Sequence, residues 1–250
     1  MKAMSPSEDR GKMMANNMKP VFLIAGSPRR RKTPDPLFQM ALRESGRAAP
    51  SVGYVGTASD DDTMFFRFLA GEMLEAGADR VSHTLITPDN ADLKKAQNIL
   101  ASADIVFISG GDVERGMKVL REKGMVDFLF QLYQRGKPFF GVSAGSIMLA
   151  REWVCWRDPD DDATAEIFPC LGLAPVICDT HAEEDDWQEL KALLALEQDN
   201  VKGYGIPSGA AIKVFPDGEV EAWGGAVSQC IRRGGRVERL PDILPAKGRR

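Results

Sequence analysis

One stretch, Gly141-Val142-Ser143-Ala144-Gly145, has the residue types and spacing for nucleophilic chemistry. A serine between two such glycines is the pattern of a sharp strand-to-helix turn that exposes the hydroxyl at the end of a sheet. The glycines serve where strand and helix pack too closely for side chains. The N–H of Ala144, following the serine, can then donate to an oxyanion. The same pattern also makes a plain tight turn, so the serine needs partners. Its general base is most often a histidine within hydrogen-bond reach. The chain has two histidines. His83 lies within the run Val81-Ser82-His83-Thr84-Leu85, where a core or sheet-face role fits. His181 follows the apolar run Pro175-Val176-Ile177-Cys178, where loops at the carboxyl ends of parallel strands gather. His181 is therefore the expected base. Asp179 precedes it by two residues. If the strand continues, both side chains share a face, and Asp179 orients the imidazole or lines the pocket. A strand-end turn aspartate is the alternative. Gly110-Gly111, before Asp112, can bring a bare backbone N–H to the reacting carbonyl and complete an oxyanion hole with Ala144.

The elements that must position these residues are legible as runs. Val21-Phe22-Leu23-Ile24-Ala25, Ser51 to Val55, Arg80 to Leu85, Ile105 to Ile108 and Pro138 to Val142 read as strands. Continuous apolar runs of this length suit strands covered on both faces. Between them, Met64 to Glu75 carries Phe65, Phe68, Leu69 and Met73 on one helical face, capped by Thr63 or Asp62. Leu93, Ala96, Ile99 and Leu100 mark a helix capped by Asp89 or Asn90. Helices are also expected through Leu120 and from about Val126 to Tyr133. Alternation of strands and helices predicts an α/β fold, a mostly parallel sheet sandwiched by helices. Trp153 to Pro169, with Asp158, Asp160, Asp161 and Asp162, reads as an acidic loop. Trp187, Leu190 and Leu194 mark a later helix, with Asp186 and Glu189 spaced as a capping box. Pro216-Asp217-Gly218, Gly224-Gly225 and Gly234-Gly235 punctuate antiparallel hairpins near the C-terminus.

Length and composition place limits on this. A chain of 250 residues that is 44% apolar suits one α/β domain with a large core. The expected organisation is a disordered extension over 1–18, a single domain over 19–242 and a flexible tail over 243–250. A net charge of −4 offers no electrostatic attraction to nucleic acid. The four cysteines show no metal-binding spacing and read as reduced thiols. No stretch is long and apolar enough for a membrane span, and the N-terminus lacks a signal peptide's apolar core. The expected location is cytoplasmic, with no membrane or nucleic-acid partner; a homodimer is allowed.

Four motifs occur in one order: Ile108-Ser109-Gly110-Gly111-Asp112, Gly141-Val142-Ser143-Ala144-Gly145, Asp179-Thr180-His181 and Gly205-Ile206-Pro207-Ser208-Gly209. Over roughly residues 20 to 240 the sequence resembles the serine peptidase family of peptidase E (aspartyl dipeptidase) and cyanophycinase. That resemblance implies a fold like the class I glutamine amidotransferases. It also implies a Ser143 nucleophile, a His181 base and oxyanion donors at Gly111 and Ala144. Gly110 and Asp112 belong to the same substrate-binding motif. Asp158 matches an aspartate position of the dipeptidase branch, and Asp179 the aspartate of the Asp-x-His pattern in the cyanophycinase branch. No metal or organic cofactor is implied.

Two departures from the family pattern matter. Ser208 stands where the family carries a glutamate that supports the histidine. A serine can accept a hydrogen bond from imidazole but cannot offset imidazolium charge. After His181 the chain reads Ala182-Glu183-Glu184-Asp185-Asp186 instead of the aromatic and arginines that bind an acidic substrate. Favourable acids at a helix N-terminus would also explain that run. The expected function is a serine hydrolase of a peptide or amide bond, with a small substrate other than Asp-X. The alternative is a degenerate member that binds a small ligand or protein partner without turnover. A glutamine amidotransferase would need a cysteine at position 143, and an ordinary esterase usually places its acid between the serine and a much later histidine.

Overall fold

The structure, a computed structural model, describes residues 17–26, 33–158 and 160–245. Residues 1–16 of the expected extension and 246–250 of the expected tail lie outside them.

The apolar runs form β1 (Val21–Ile24), β2 (Ser51–Val55), β3 (Arg80–Thr84), β4 (Ile105–Ile108) and β5 (Phe139–Val142). They pair in parallel in the order β1-β5-β4-β2-β3. Both faces of β1, β4 and β5 are covered, which is why those runs are apolar without alternation, whereas β3 at the sheet edge is polar and mostly half-buried. In β4, Val106 and Ile108 face one core and Ile105 and Phe107 the other. The second core is closed by α1 (Pro36–Arg43) and α2 (Thr63–Glu75). The first is closed by α3 (Leu93–Ser102), α4 (Val113–Glu122), α5 (Met125–Gln134) and α6 (Ala144–Leu149). The α3 cap is Asp92, which accepts the Lys95 N–H at 2.9 Å, and not Asp89 or Asn90.

Beyond α6 the structure corrects the reading of Trp153 to Pro169 as a loop. β6 (Glu152–Trp156) and β7 (Ala165–Pro169) form an antiparallel hairpin, and only its tip is the acidic segment. The later strands are shared between two sheets. β10 (Ala211–Val214) and β11 (Val220–Trp223) extend the large sheet antiparallel beside β1. β8 (Ile177–Thr180) and β9 (Lys202–Ile206) are parallel to each other in a second sheet. β12 (Val227–Arg233) and β13 (Arg236–Ile243) complete it antiparallel. β13 runs one residue past the expected domain edge, with Ile243 opposite Val227. One apolar cluster includes Val21 and Leu23 of the first sheet and Cys178, Tyr204 and Val227 of the second, so the sheets share a core. The last helix, α7 (Gln188–Leu196), packs Leu190, Leu193 and Leu194 with Trp187 against the second sheet. The expected capping box is absent there. Asp185 instead accepts the Trp187 N–H at 3.0 Å, and Glu189 accepts from Trp153 Nε1 at 2.8 Å.

Candidate active site

The carboxyl ends of β1, β4, β5, β8 and β9 converge on one cavity of about 630 Å³. Ser143 follows β5 directly. Its φ of +54° and ψ of −126° are strained for a side-chain-bearing residue. The turn is held by the Ser143 N–H donating to Ile24 O at 2.9 Å and the Ser146 N–H donating to Ser143 O at 2.8 Å. Ser146, fully buried, accepts from Ile24 N and donates to Ile24 O through its hydroxyl, fastening α6 to β1. Gly145 is required by close approach: a Cβ there would lie 2.1 Å from Ile108 O.

His181 follows β8. Its N–H donates to Ile206 O at 2.9 Å, and its φ of +45° ends the strand. The ring reaches back so that Nε2 lies 2.7 Å from Ser143 Oγ. With Nε2 unprotonated the hydroxyl donates to it, the arrangement a base-activated nucleophile needs. His83 is elsewhere, stacked on Phe66 at 4.3 Å between ring centroids and 3.6 Å from Asp61 Oδ1.

The glycine pair after β4 lies against the serine. A Cβ on Gly110 would sit 3.2 Å from Ser143 Cβ. Gly111 has φ +139°, and a Cβ there would lie 2.0 Å from Ala58 O. Neither the Gly111 nor the Ala144 N–H donates a backbone hydrogen bond among the described residues. Asp112, expected with this set, does not line the cavity. It caps α4 by accepting the Arg115 N–H at 2.8 Å, and its own N–H donates to Ala58 O at 2.8 Å.

The expected supporting acids lie elsewhere. Asp179 is buried, with Oδ1 accepting the Thr180 N–H at 2.7 Å. The positive φ at His181 breaks the two-residue alternation, so the two side chains do not share a face. Burial, with Glu189 and Asp185 nearby, pushes the Asp179 carboxyl up to about 7 against the N–H groups of Thr180 and Leu190. Because that value lies above the unfolded one near about 4, ionisation opposes folding. Stability should therefore fall as pH rises from about 4 through about 7. Asp179→Asn is expected to raise the urea midpoint at pH 8 and to leave it unchanged near pH 4. An equal effect at both pH values would contradict this. Asp158 is exposed in the β6–β7 tip, accepting the Asp160 N–H at 3.1 Å.

Glu183 is the acid that sequence reasoning missed. Its Oε1 accepts the Ser208 N–H at 3.1 Å across the loops that follow β8 and β9. Burial works against its ionisation, but its own N–H, the Ser208 hydroxyl and N–H, and His181 outweigh this and hold the carboxyl below the usual range. Ser208 thus braces the Glu183 carboxylate on the loop that follows His181. The acidic run divides in two: Glu183 and Glu184 line the cavity, while Asp185 serves the start of α7 and Asp186 pairs with Lys191. The signal available was only that Glu183 lies two residues after His181.

The sequence profile of the family described as Peptidase family S51 matches residues 21–221. The "Uncharacterized peptidase YgaJ" of Bacillus subtilis (strain 168) is 24% identical over 187 residues, 72% of this chain and 76% of that one. "Peptidase E" of Streptomyces coelicolor is 28% identical over 166 residues, 60% of this chain and 66% of that one. Among solved structures, a peptidase from an acI-B1 Actinobacterium superposes with a TM-score of 0.68 at 16% identity, covering 91% of this chain and 97% of that one. A candidate peptidase E from Listeria monocytogenes EGD-e superposes with a TM-score of 0.60 at 19% identity, covering 82% and 98%. The fold is theirs.

Proposed function

The chain belongs to peptidase family S51, and on that premise we propose that it is a serine hydrolase of a peptide or amide bond with Ser143 as nucleophile and His181 as base. The observation that carries this reading is the 2.7 Å contact between Ser143 Oγ and His181 Nε2 at a strained turn opening on a cavity. Ser143 Oγ attacks the carbonyl carbon as its proton passes to His181 Nε2. The carbonyl oxygen becomes an oxyanion facing the N–H groups of Gly111 and Ala144. His181 then gives the proton to the departing amine, leaving an ester on Ser143. Water, deprotonated by the same imidazole, hydrolyses that ester.

Glu183 takes the part expected of an acid at 208: an ionised carboxylate that stabilises the imidazolium formed during attack. On this reading Ser208→Glu alone is not expected to raise activity, because the Ser208 N–H already holds Glu183. Glu183→Gln is now expected to lower turnover about tenfold, roughly 1.4 kcal/mol of barrier. Ser208→Glu in that background should restore part of the loss, whereas in the native background it places a second carboxylate against Glu183 and should not help. Measured rates of the four proteins decide this; a gain from Ser208→Glu alone would mean that Glu183 does not support His181.

The substrate is small and is not an aspartyl dipeptide. Asp35, Glu72, Glu183 and Glu184 line the cavity, with no lysine or arginine among the described lining residues. The test of the hydrolase reading is a dipeptide panel read by mass spectrometry, with Ser143→Ala as control. Cleavage lost in the variant supports it. Robust turnover of Asp-Leu would overturn the exclusion of aspartyl substrates while leaving the hydrolase in place.

A further inference from the structure

The loop that carries the Gly111 N–H is seated on a turn remote from Ser143 and His181 in sequence. Ala58, in the turn after β2, lies directly behind Gly111. Ala58 O accepts the Asp112 N–H at 2.8 Å, and a Cβ on Gly111 would lie 2.0 Å from the same oxygen. The Gly111 peptide is therefore placed only as well as the 57–59 turn is. That turn runs into two consecutive non-glycine residues with left-handed backbone, Asp60 at φ +55° and Asp61 at φ +54°. Residues of that kind persist only where their surroundings fix them.

Asp61 supplies the fixing. It is buried, and its N–H donates to Gly56 O at 2.9 Å. Its Oδ2 accepts the N–H groups of Ile86 at 2.7 Å and Thr87 at 2.8 Å. Ile86 and Thr87 belong to the loop after β3, so one carboxylate joins the loops after β2 and β3. N–H donors on a carboxylate make charge-assisted hydrogen bonds, stronger than neutral ones. Oδ1 faces His83 Nε2 at 3.6 Å, longer than a hydrogen bond. Asp61 does not line the cavity, so any influence on the chemistry passes through the turn.

We propose that Asp61 is a positioning residue. Through the 57–61 turn its carboxylate seats the Gly110-Gly111-Asp112 loop so that the Gly111 N–H meets the developing oxyanion. The proposal rests on the hydrolase reading for the oxyanion, but the seating of the loop can be measured without turnover.

The test compares Asp61→Gly, Asp61→Asn and His83→Ala. Glycine accepts the left-handed backbone at no steric cost and removes the carboxylate. Asparagine returns an acceptor oxygen to the two N–H groups. The first readout is fluorophosphonate labelling of Ser143 over a range of probe concentrations, which separates probe binding from bond formation. Asp61→Gly should lower the saturating rate at least about tenfold, a fraction of what outright loss of an oxyanion donor costs. Its half-saturating concentration should stay within about twofold, because the interaction is made in the transition state. Asp61→Asn should recover most of the rate. His83→Ala should lose stability without that fall in rate, which separates positioning from stability alone. The second readout needs no variant to fold: amide exchange of the native protein by NMR in rising denaturant. The amides of Ile86, Thr87 and Asp112 should open as one unit with one response to denaturant. A folded Asp61→Gly with the native rate, an equal fall in His83→Ala, or an Asp112 amide that opens independently of Ile86 and Thr87 would overturn the proposal. A native protein that takes no label would remove the hydrolase reading instead, and the exchange data alone would then decide whether Asp61 seats the loop.

Discussion

His181→Ala is expected to lower the rate of substrate turnover, or of fluorophosphonate labelling at Ser143, by about four orders of magnitude or more. Serine hydrolases lose on this scale when the base is removed, because nucleophile and base act as one unit. In this protein the unit is the 2.7 Å contact between Ser143 Oγ and His181 Nε2, and no other imidazole is near. His83→Ala is the matched control. That ring stacks on Phe66 and meets Tyr54 edge-on at 5.2 Å, so its removal should cost stability and leave the rate within a few-fold. A His181→Ala protein within about tenfold of the native rate would remove His181 from the chemistry.

Gly111→Ala should have the largest structural effect of any single methyl addition near the site. The added carbon would meet Ala58 O at 2.0 Å, a backbone atom that cannot swing away. The φ of +139° is itself closed to alanine. Relief requires the Gly111 peptide to turn or the 57–59 turn to retreat, and either strains the Asp112 N–H bond to Ala58 O. A loss of about 3 kcal/mol or more of stability is expected, in the range of overpacking plus backbone strain. A folded remainder should also lose about 100-fold or more in rate, the scale of one misplaced oxyanion donor. Gly110→Ala is the milder comparison, its carbon meeting Ser143 Cβ at 3.2 Å. Urea unfolding and labelling rates of the two variants check this. Native-like stability and rate for Gly111→Ala would mean that the loop is not held as described.

Much of this arrangement was legible because its causes are local. β1, β4 and β5 announce themselves as unbroken apolar runs, since both faces of each are buried. The Ser143 turn announces itself because only glycine fits at 145 against Ile108 O. His181 could be chosen over His83 from its place after a strand. What sequence hid depends on contacts between distant segments or on one dihedral angle. Asp179 was expected to share a face with His181, but the positive φ at His181 undoes the alternation on which that rested. The β6–β7 hairpin reads as a loop in sequence because Asp158, Asp160 and Asp161 dominate the segment, while Trp153 pairing with Phe168 depends on the fold. Asp158 went with it, to an exposed tip. In sequence, Glu183 is one of a run of acids that suits a helix start. Only the approach of the loop after β9 gives it a partner in Ser208.

The central claim is that Ser143 is a live nucleophile, and fluorophosphonate labelling followed by peptide mass spectrometry tests it without knowledge of the substrate. The account expects a single adduct on Ser143 in the native protein, absent in Ser143→Ala and strongly slowed in His181→Ala. A folded native protein that takes no adduct, or one whose adduct persists in Ser143→Ala, would contradict it.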